Sequence, residues 1–212
     1  TQWMKNALIS EAKIPDSKIE VIHPRLSLRF EDGETIKKSS GKKYFYPATS
    51  FSYKNHMIIL LALKELKEDY DINLQVSFTL SPAENKYTKN LKNYALKNNL
   101  DVVFLGKINR DEVIYYYLNS ILIFPSFIES FGLPLLEGRI LGIPVVANNT
   151  SFSKEILKGY DLAYFFDGNN YKSLVDKLLV IEKKGITKTL RQKNKSYHKK
   201  TLLNNIESYF HD

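Results

Sequence analysis

Six short apolar runs alternate with six longer amphipathic segments between residues 44 and 183, and this alternation constrains the fold more than any other feature. The apolar runs, which predict strands, are residues 44–46, 74–80, 102–105, 121–124, 145–147 and 162–166. The segments between and after them, which predict helices, are residues 53–68, 84–98, 111–118, 134–141, 153–157 and 171–183. Strict alternation requires crossover connections, so it predicts an α/β, Rossmann-like fold: a parallel six-stranded sheet with helices on both faces.

The segments outside this alternation predict further elements. Residues 3–14 have helical spacing, and residues 19–22 predict a short strand. The polar residues 25–43 predict a linker between domains. Residues 196–210 carry apolar side chains at helical spacing and predict a last helix.

Composition excludes several classes of protein. No run approaches 18 consecutive apolar residues, and the first residues lack the apolar core of a signal peptide. The chain has no cysteine, so disulfides, thiol chemistry and cysteine-ligated metal are excluded. We expect a cytoplasmic protein.

The net charge of +8 comes from one segment, residues 183–200, which we call the basic run. Its bases are Lys183, Lys184, Lys188, Arg191, Lys193, Lys195, Lys199 and Lys200, and it contains no acid. Such a run is either a solvated helix face or a patch for anionic lipid or nucleic acid.

Two glutamates, Glu129 and Glu137, lie eight positions apart where strand 121–124 passes into helix 134–141. Because Cα–Cβ bonds tilt toward the start of a helix, Glu137 should lean back toward the loop that carries Glu129. An ionised carboxylate accepts both hydroxyls of a vicinal diol, such as a ribose or a hexose edge. The spacing alone is compatible with one cleft for a sugar nucleotide. A solvated loop residue and a residue that compensates the helix dipole would give the same spacing.

The backbone between the two glutamates is suited to an anion. Pro134 fits the first helical position, because proline has no N–H to leave without a partner. The amides of Phe131, Gly132 and Leu133 should therefore lie free at the helix N-terminus, where the dipole favours a diphosphate. A glycine at this place lets a ligand approach the backbone closely.

Residues 126–138 (SFIESFGLPLLEG), with residues 142–147 (GIPVVA), resemble the signature of the family four retaining glycosyltransferases, which have the two-domain GT-B fold. The resemblance extends over roughly residues 43–210. It implies that residues 43–212 are the nucleotide-sugar-binding domain, the C-terminal half of a GT-B fold, ending in a helix that crosses back. Residues 1–42 would then be a remnant of the N-terminal domain with the interdomain linker.

The resemblance also assigns roles to the residues of the signature. It implies that Glu129 faces the donor sugar and acts as a catalytic residue. Glu137 would bind the ribose of the nucleotide. The amides of Phe131, Gly132 and Leu133 would hold the sugar and the phosphates.

Further candidates follow the first and third predicted strands. Lys54 matches the phosphate-binding, catalytic lysine of the resembled family, and Lys107 with Ile108 matches the loop whose backbone contacts the nucleobase. Without the resemblance, Lys54 would be an ordinary solvated lysine and the loop a plain turn. The family commonly has an arginine five residues before the lysine, where this chain has Thr49. Threonine cannot grip phosphate with two parallel hydrogen bonds, so Lys54 acts with the helix amides alone or another base substitutes.

The resemblance implies retaining transfer of a sugar from a nucleotide-diphospho-sugar, without a metal or other cofactor. A saccharide or lipid-linked acceptor, used in cell-surface polysaccharide or glycolipid synthesis, would be held by the N-terminal domain, so this chain alone should be inactive. The protein would be cytoplasmic. Because many members of the resembled family glycosylate membrane-anchored acceptors, the resemblance favours a peripheral site at the anionic inner membrane face for the basic run, and nucleic acid is not expected as its partner. Two alternatives remain: a nucleotide-sugar epimerase or sugar phosphorylase on the same fold, and a non-catalytic, basic nucleic-acid-binding module.

Other candidate sites fail on position or spacing. The pair Asp69 and Asp71 precedes a strand, so it should lie at the end of the sheet opposite to the ligand site. The four histidines, His23, His56, His198 and His211, lack metal-ligand spacing. Neither a Gly-x-Gly-x-x-Gly nor a Walker sequence is present.

Overall fold

The computed structural model describes residues 1–22 and 43–184, and a six-stranded sheet forms the centre of this part. The strands are β1 Lys43–Tyr46, β2 Gln75–Phe78, β3 Val102–Phe104, β4 Ile121–Phe124, β5 Val145–Asn148 and β6 Ala163–Phe166. Every neighbouring pair is parallel, and the order across the sheet is β3-β2-β1-β4-β5-β6. The predicted α/β fold with a parallel sheet is confirmed.

Helices alternate with the strands as predicted; α1 precedes β1, α7 follows β6 and the others connect consecutive strands. They are α1 Gln2–Ser10, α2 His56–Tyr70, α3 Lys86–Lys97, α4 Arg110–Leu118, α5 Leu133–Ile140, α6 Ser151–Ile156 and α7 Tyr171–Lys184. Helix α2 contacts α3 and α7, whereas α6 contacts α1 and α5. Because right-handed crossovers run outward in both directions from the centre of the sheet, these two groups cover opposite faces.

The core lies on both sides of the central strands. All four residues of β4 and of β5 are buried, and β1 is buried from its second residue onward. A strand covered on both faces cannot alternate apolar and polar residues, so its sequence is a continuous apolar run. This explains why the strands were predicted from short apolar runs rather than from an alternating pattern of apolar and polar residues.

The predictions for the first 22 residues need correction. The predicted helix 3–14 ends at Ser10, and the chain reverses through Lys13, whose φ is 55°. The predicted strand at residues 19–22 is wrong: these residues follow a 3-10 turn, Asp16–Lys18, without regular structure. A strand exists only through hydrogen bonds to a neighbour, and in the described part of the chain no strand pairs with this segment.

The start of α2 also differs from the prediction. The helix expected from residue 53 begins at His56, because Asn55 is left-handed, with a φ of 57°. A separate 3-10 turn, Ser52–Lys54, precedes it. Asparagine tolerates this conformation better than most residues, and it sets the turn apart from the helix.

Three predictions fall outside the described residues: the linker at residues 25–42, the last helix at residues 196–210 and the basic run beyond Lys184. The histidines His23, His198 and His211 also lie there. Within residues 1–22 and 43–184, no helix combines the length and apolar character needed to cross a bilayer.

Helix α5 lies unusually close to the sheet because of one glycine. A Cβ atom on Gly138 would come within 3.1 Å of Leu122 Cδ2 and within 3.1 Å of Val145 Cγ2. Both partners are buried in the central strands, so neither can move away freely. The first turn of α5 is therefore held at a fixed height above β4 and β5.

We expect Gly138→Val to lower the free energy of unfolding by about 1 to 3 kcal/mol, because the added methyl groups overpack the contact with the sheet. Denaturation in urea would measure the loss. The matched control is Lys92→Val at an exposed position of α3, which should cost less than about 0.7 kcal/mol, the helix-propensity difference. Equal losses in the two variants would contradict the close-packing argument.

Candidate functional site

The centre of the sheet contains a topological switch point. The chain leaves β1 toward β2 on one side, whereas β4, the neighbour of β1 on the other side, leads to β5. The loops after β1 and β4 therefore diverge and leave a crevice at the carboxyl edge of the sheet, where open α/β sheets bind ligands. The amide of Phe127 donates to the carbonyl of Tyr53 at 2.9 Å and fixes one loop on the other.

Lys54 and Glu129 meet in this crevice. Lys54 Nζ lies 2.6 Å from Glu129 Oε1, and the two side chains are only 13% and 14% exposed. The buried Tyr46 hydroxyl donates to the carbonyl of Lys54 at 2.9 Å and fixes the turn that carries the lysine. The structure thus brings together two residues that the sequence analysis named separately. An ammonium has three N–H donors, so Lys54 can bind Glu129 and an anion together.

The first turn of α5 follows the crevice loop. Gly132 has a φ of 86°, which disfavours any residue with a Cβ, and its carbonyl accepts from the amide of Leu135 at 2.9 Å. Among the described residues, the structure gives the amides of Gly132 and Leu133 no hydrogen-bond partner. Pro134 is the second helical residue rather than the first. The ring of Phe131 packs, half-buried, against the core.

Glu137 is buried behind this turn and has two side-chain partners. The hydroxyl of Tyr117 donates to Oε2 at 2.8 Å, and an Nη atom of Arg110 lies 2.7 Å from Oε1. Burial, followed by the neighbouring Glu137 carboxylate, raises the pKa of Tyr117 well above its ordinary value, so this hydroxyl keeps its proton and donates. The sequence analysis missed both partners. They lie seven positions apart, which places them on one face of α4, and this spacing was the available signal.

The other residues predicted to bind the nucleotide-sugar donor, Lys107 and Ile108, lie in the loop after β3. Lys107 is exposed, and Ile108 packs half-buried against the core. Asn109 then caps α4 in a reciprocal pair of hydrogen bonds with Glu112. The loop therefore leads directly into the first residue of α4, Arg110.

Loops from four strands are joined by a polar network that the sequence analysis also missed. The buried Asn148, at the end of β5, accepts from the amide of Gly168 at 2.9 Å and donates to the carbonyl of Ser126 at 3.2 Å. Asn55 donates to the carbonyl of Gly168 at 2.9 Å. A Cβ on Gly168 would lie 2.4 Å from Asn148 Nδ2, so a larger residue there would displace the side-chain amide of Asn148. The network holds the crevice loops together.

Two further points of the sequence analysis concern a metal site and residue Thr49. Within the described residues, no three His, Asp or Glu side chains are grouped so that they could hold a metal ion. Thr49, which stands where the resembled family has an arginine, is exposed in the loop after β1.

His56, the first residue of α2, is buried directly behind Lys54. Its ring packs against Tyr46 at 4.7 Å, Phe78 at 5.2 Å and Tyr87 at 6.1 Å between centroids. Neither ring nitrogen has a hydrogen-bond partner in the described part of the chain. Burial, with a smaller effect from the positive charge of Lys54, lowers the pKa of His56 to about 3. The imidazole is therefore neutral and serves as an apolar ring.

We expect His56→Phe to make the stability of the protein less dependent on pH. The folded pKa lies below the unfolded value of 6.5, so stability from this residue is complete above that pH and falls as the pH decreases toward 3. Between pH 6.5 and 5 the wild type should lose about 2 kcal/mol through His56. Urea denaturation would measure the free energy of unfolding of both proteins at pH 7 and at pH 5. If the variant loses as much stability between these two pH values as the wild type, the burial of a neutral imidazole is contradicted.

The chain is similar to known proteins of one family. Residues 29–201 match the family model of glycosyl transferases group 1. An uncharacterized glycosyltransferase of Methanocaldococcus jannaschii is 31% identical over 137 residues, which are 63% of this chain and 37% of that protein.

Two crystal structures share the fold. A glycosyltransferase from Rickettsia africae matches 99% of this chain and 61% of its own, with a TM-score of 0.71 and 22% identity. The Anabaena protein HepE, in complex with UDP, matches 79% of this chain and 48% of its own, with a TM-score of 0.58 and 18% identity. The chain thus spans less than two thirds of the length of each of these proteins. Because the family match covers most of the sequence, the chain belongs to the group 1 glycosyltransferases.

Proposed function

We propose that this chain is the donor-binding part of a retaining glycosyltransferase that takes its sugar from a nucleotide-diphospho-sugar. The observation that supports this proposal most strongly is the ion pair of Lys54 and Glu129, whose Nζ and Oε1 atoms lie 2.6 Å apart in the crevice at the switch point. The first turn of α5 follows Glu129 in the chain. A cation and free helix amides suit a diphosphate, and a carboxylate beside them suits a sugar hydroxyl. Family membership supports the assignment.

The diphosphate is the leaving group in this proposal. Negative charge grows on it as the bond to the sugar breaks, and Lys54 with the amides of Gly132 and Leu133 would stabilise that charge. Phe131 is the third residue whose amide was predicted to hold the sugar and the phosphates. The donor sugar would lie beside Glu129 while it is transferred to the acceptor. The predicted independence of metal and cofactor has a direct check, which is sugar transfer in the presence of a chelator by this chain together with its acceptor-binding domain.

The nucleoside would lie toward Glu137. In this proposal the carboxylate accepts ribose hydroxyls, and the loop of Lys107 and Ile108 contacts the base. The fold neighbour from Anabaena was crystallised with UDP, which makes uridine diphosphate the first nucleotide to test.

The acceptor and the cellular location are proposals that rest on the family. We propose a saccharide or lipid-linked acceptor, bound by a domain outside this chain, in cell-surface polysaccharide or glycolipid synthesis. The proposed location is the cytoplasm, with the basic run against the anionic inner face of the membrane.

We expect Glu137→Gln to weaken binding of a sugar-free nucleoside diphosphate by about ten- to a hundredfold, because a charge-assisted hydrogen bond is lost. Glu129→Gln should weaken it much less, since this carboxylate faces the sugar. Calorimetric titration with uridine, adenosine and guanosine diphosphates would measure both effects. The matched control is Glu68→Gln, which removes an exposed carboxylate paired with Lys64 at 2.8 Å.

Two results would be decisive against these assignments. Equal losses for Glu137→Gln and Glu129→Gln would overturn the division between ribose and sugar. Steeply salt-dependent binding of nucleic acid by the wild type, without affinity for any nucleoside diphosphate, would overturn the proposed function in favour of the basic binding module.

We expect replacement of Lys193, Lys195, Lys199 and Lys200 by glutamine to reduce association with anionic vesicles by about 1 kcal/mol per base, without changing nucleotide binding. Vesicle co-sedimentation at low salt would measure the association. The control replaces four exposed lysines of α3 and changes the net charge equally: Lys86, Lys89, Lys92 and Lys97. If the wild type does not bind vesicles, the basic run is a solvated face.

A further inference from the structure

Arg110 covers the outward side of the buried carboxylate of Glu137. The side chain of Glu137 is 8% exposed, whereas that of Arg110 is 49% exposed. The inner oxygen, Oε2, accepts from Tyr117, a residue only 1% exposed, and the outer oxygen, Oε1, faces Arg110. The guanidinium is therefore the solvent-exposed member of this ion pair.

Helix α4 itself gives no reason for an arginine at this position. Arg110 is the first residue of α4, where a cation opposes the helix dipole. Asn109 and Glu112 already form a capping box at this end, and Asp111 adds a further negative charge to the first turn. The position of Arg110 is explained by Glu137, which lies on another helix.

The pair retains capacity for a ligand. A carboxylate has about four lone-pair sites, and the two contacts to Tyr117 and Arg110 leave others unoccupied. A guanidinium has five N–H donors in a planar fork, and the half-exposed side chain of Arg110 offers some of them to solvent. A hydroxyl both donates and accepts, so adjacent carboxylate and guanidinium groups can satisfy it in both capacities.

We propose that Arg110 contacts the nucleotide and determines its specificity for ribose. Its guanidinium donates to the oxygen of a ribose hydroxyl while the same hydroxyl donates to Glu137. The inference rests on the proposed function and deepens it, because it assigns recognition of the ribose to a pair of residues, Arg110 and Glu137, rather than to one glutamate. A deoxyribose lacks the hydroxyl and leaves both charged groups without a ligand partner, which makes it the discriminated analogue.

The experiment compares nucleotides with and without the hydroxyls. Uridine, adenosine and guanosine diphosphates, each with its 2′-deoxy and 3′-deoxy forms, are titrated by NMR into wild type, Arg110→Met and Arg110→Lys. For the best-bound nucleotide, we expect Arg110→Met to weaken binding of the ribose form about tenfold and that of one deoxy form less than about twofold. Arg110→Lys, which keeps the charge and loses the fork, should lie between.

The control variant is Lys64→Met, which removes the cation of an exposed ion pair of 2.8 Å on α2 and should change no affinity. Amide spectra and melting temperatures establish whether each variant is folded. If Arg110→Met is not folded, the comparison is made between wild type and Arg110→Lys alone.

The outcomes separate this inference from the proposed function. Equal weakening of the ribose form and both deoxy forms would mean that Arg110 acts through charge or structure alone, and would overturn the inference. Unchanged or tighter binding of the ribose form by Arg110→Met would also overturn it. Absence of binding of every nucleoside diphosphate to the wild type would instead overturn the proposed function, and with it the role of Arg110.

Discussion

Adjacency of β1 and β4 at the centre of the parallel sheet is the constraint on which the site depends. Right-handed crossovers carry the chain outward from this point in both directions, so neither the helix after β1 nor the helix after β4 closes the crevice between the two loops. Lys54 and Glu129 are separated by 75 positions in the chain, yet they lie in hydrogen-bonding contact because their strands are neighbours. The buried strands, the loop contacts and the first turn of α5 all hold this arrangement in place.

The two signature glutamates lie in different electrostatic environments, which suits different tasks. Glu129 pairs with a lysine at the crevice, in contact with the group proposed to hold phosphate. Glu137 is held by a neutral buried hydroxyl on one oxygen and by an arginine on the other. A carboxylate fixed on both oxygens has little freedom to rotate, so it is preorganised for a hydroxyl pair of fixed geometry. The division of sugar and ribose proposed for the two glutamates is consistent with these surroundings.

Much of the fold could be predicted because its signals are local. A strand covered on both faces is a continuous apolar run, and β4 has the predicted bounds, residues 121–124. Local signals failed where a tertiary partner decides the outcome. The apolar residues 19–22 resemble a strand, but no neighbouring strand pairs with them in the described part of the chain. The left-handed Asn55 moved the start of α2, because a single backbone conformation outweighs helical periodicity.

By itself, the sequence determined the strand and helix alternation, the glycine and proline at the start of α5, and the identity of the glutamates. These features depend on residues close together in the chain, where burial period and backbone conformation are encoded locally. Only the tertiary structure decided which distant groups meet. It joined Lys54 to Glu129, placed Arg110 and Tyr117 on Glu137, and tied the loops after β4 and β6 to Asn148. Such contacts follow from strand order and crossover packing, which no short stretch of sequence specifies.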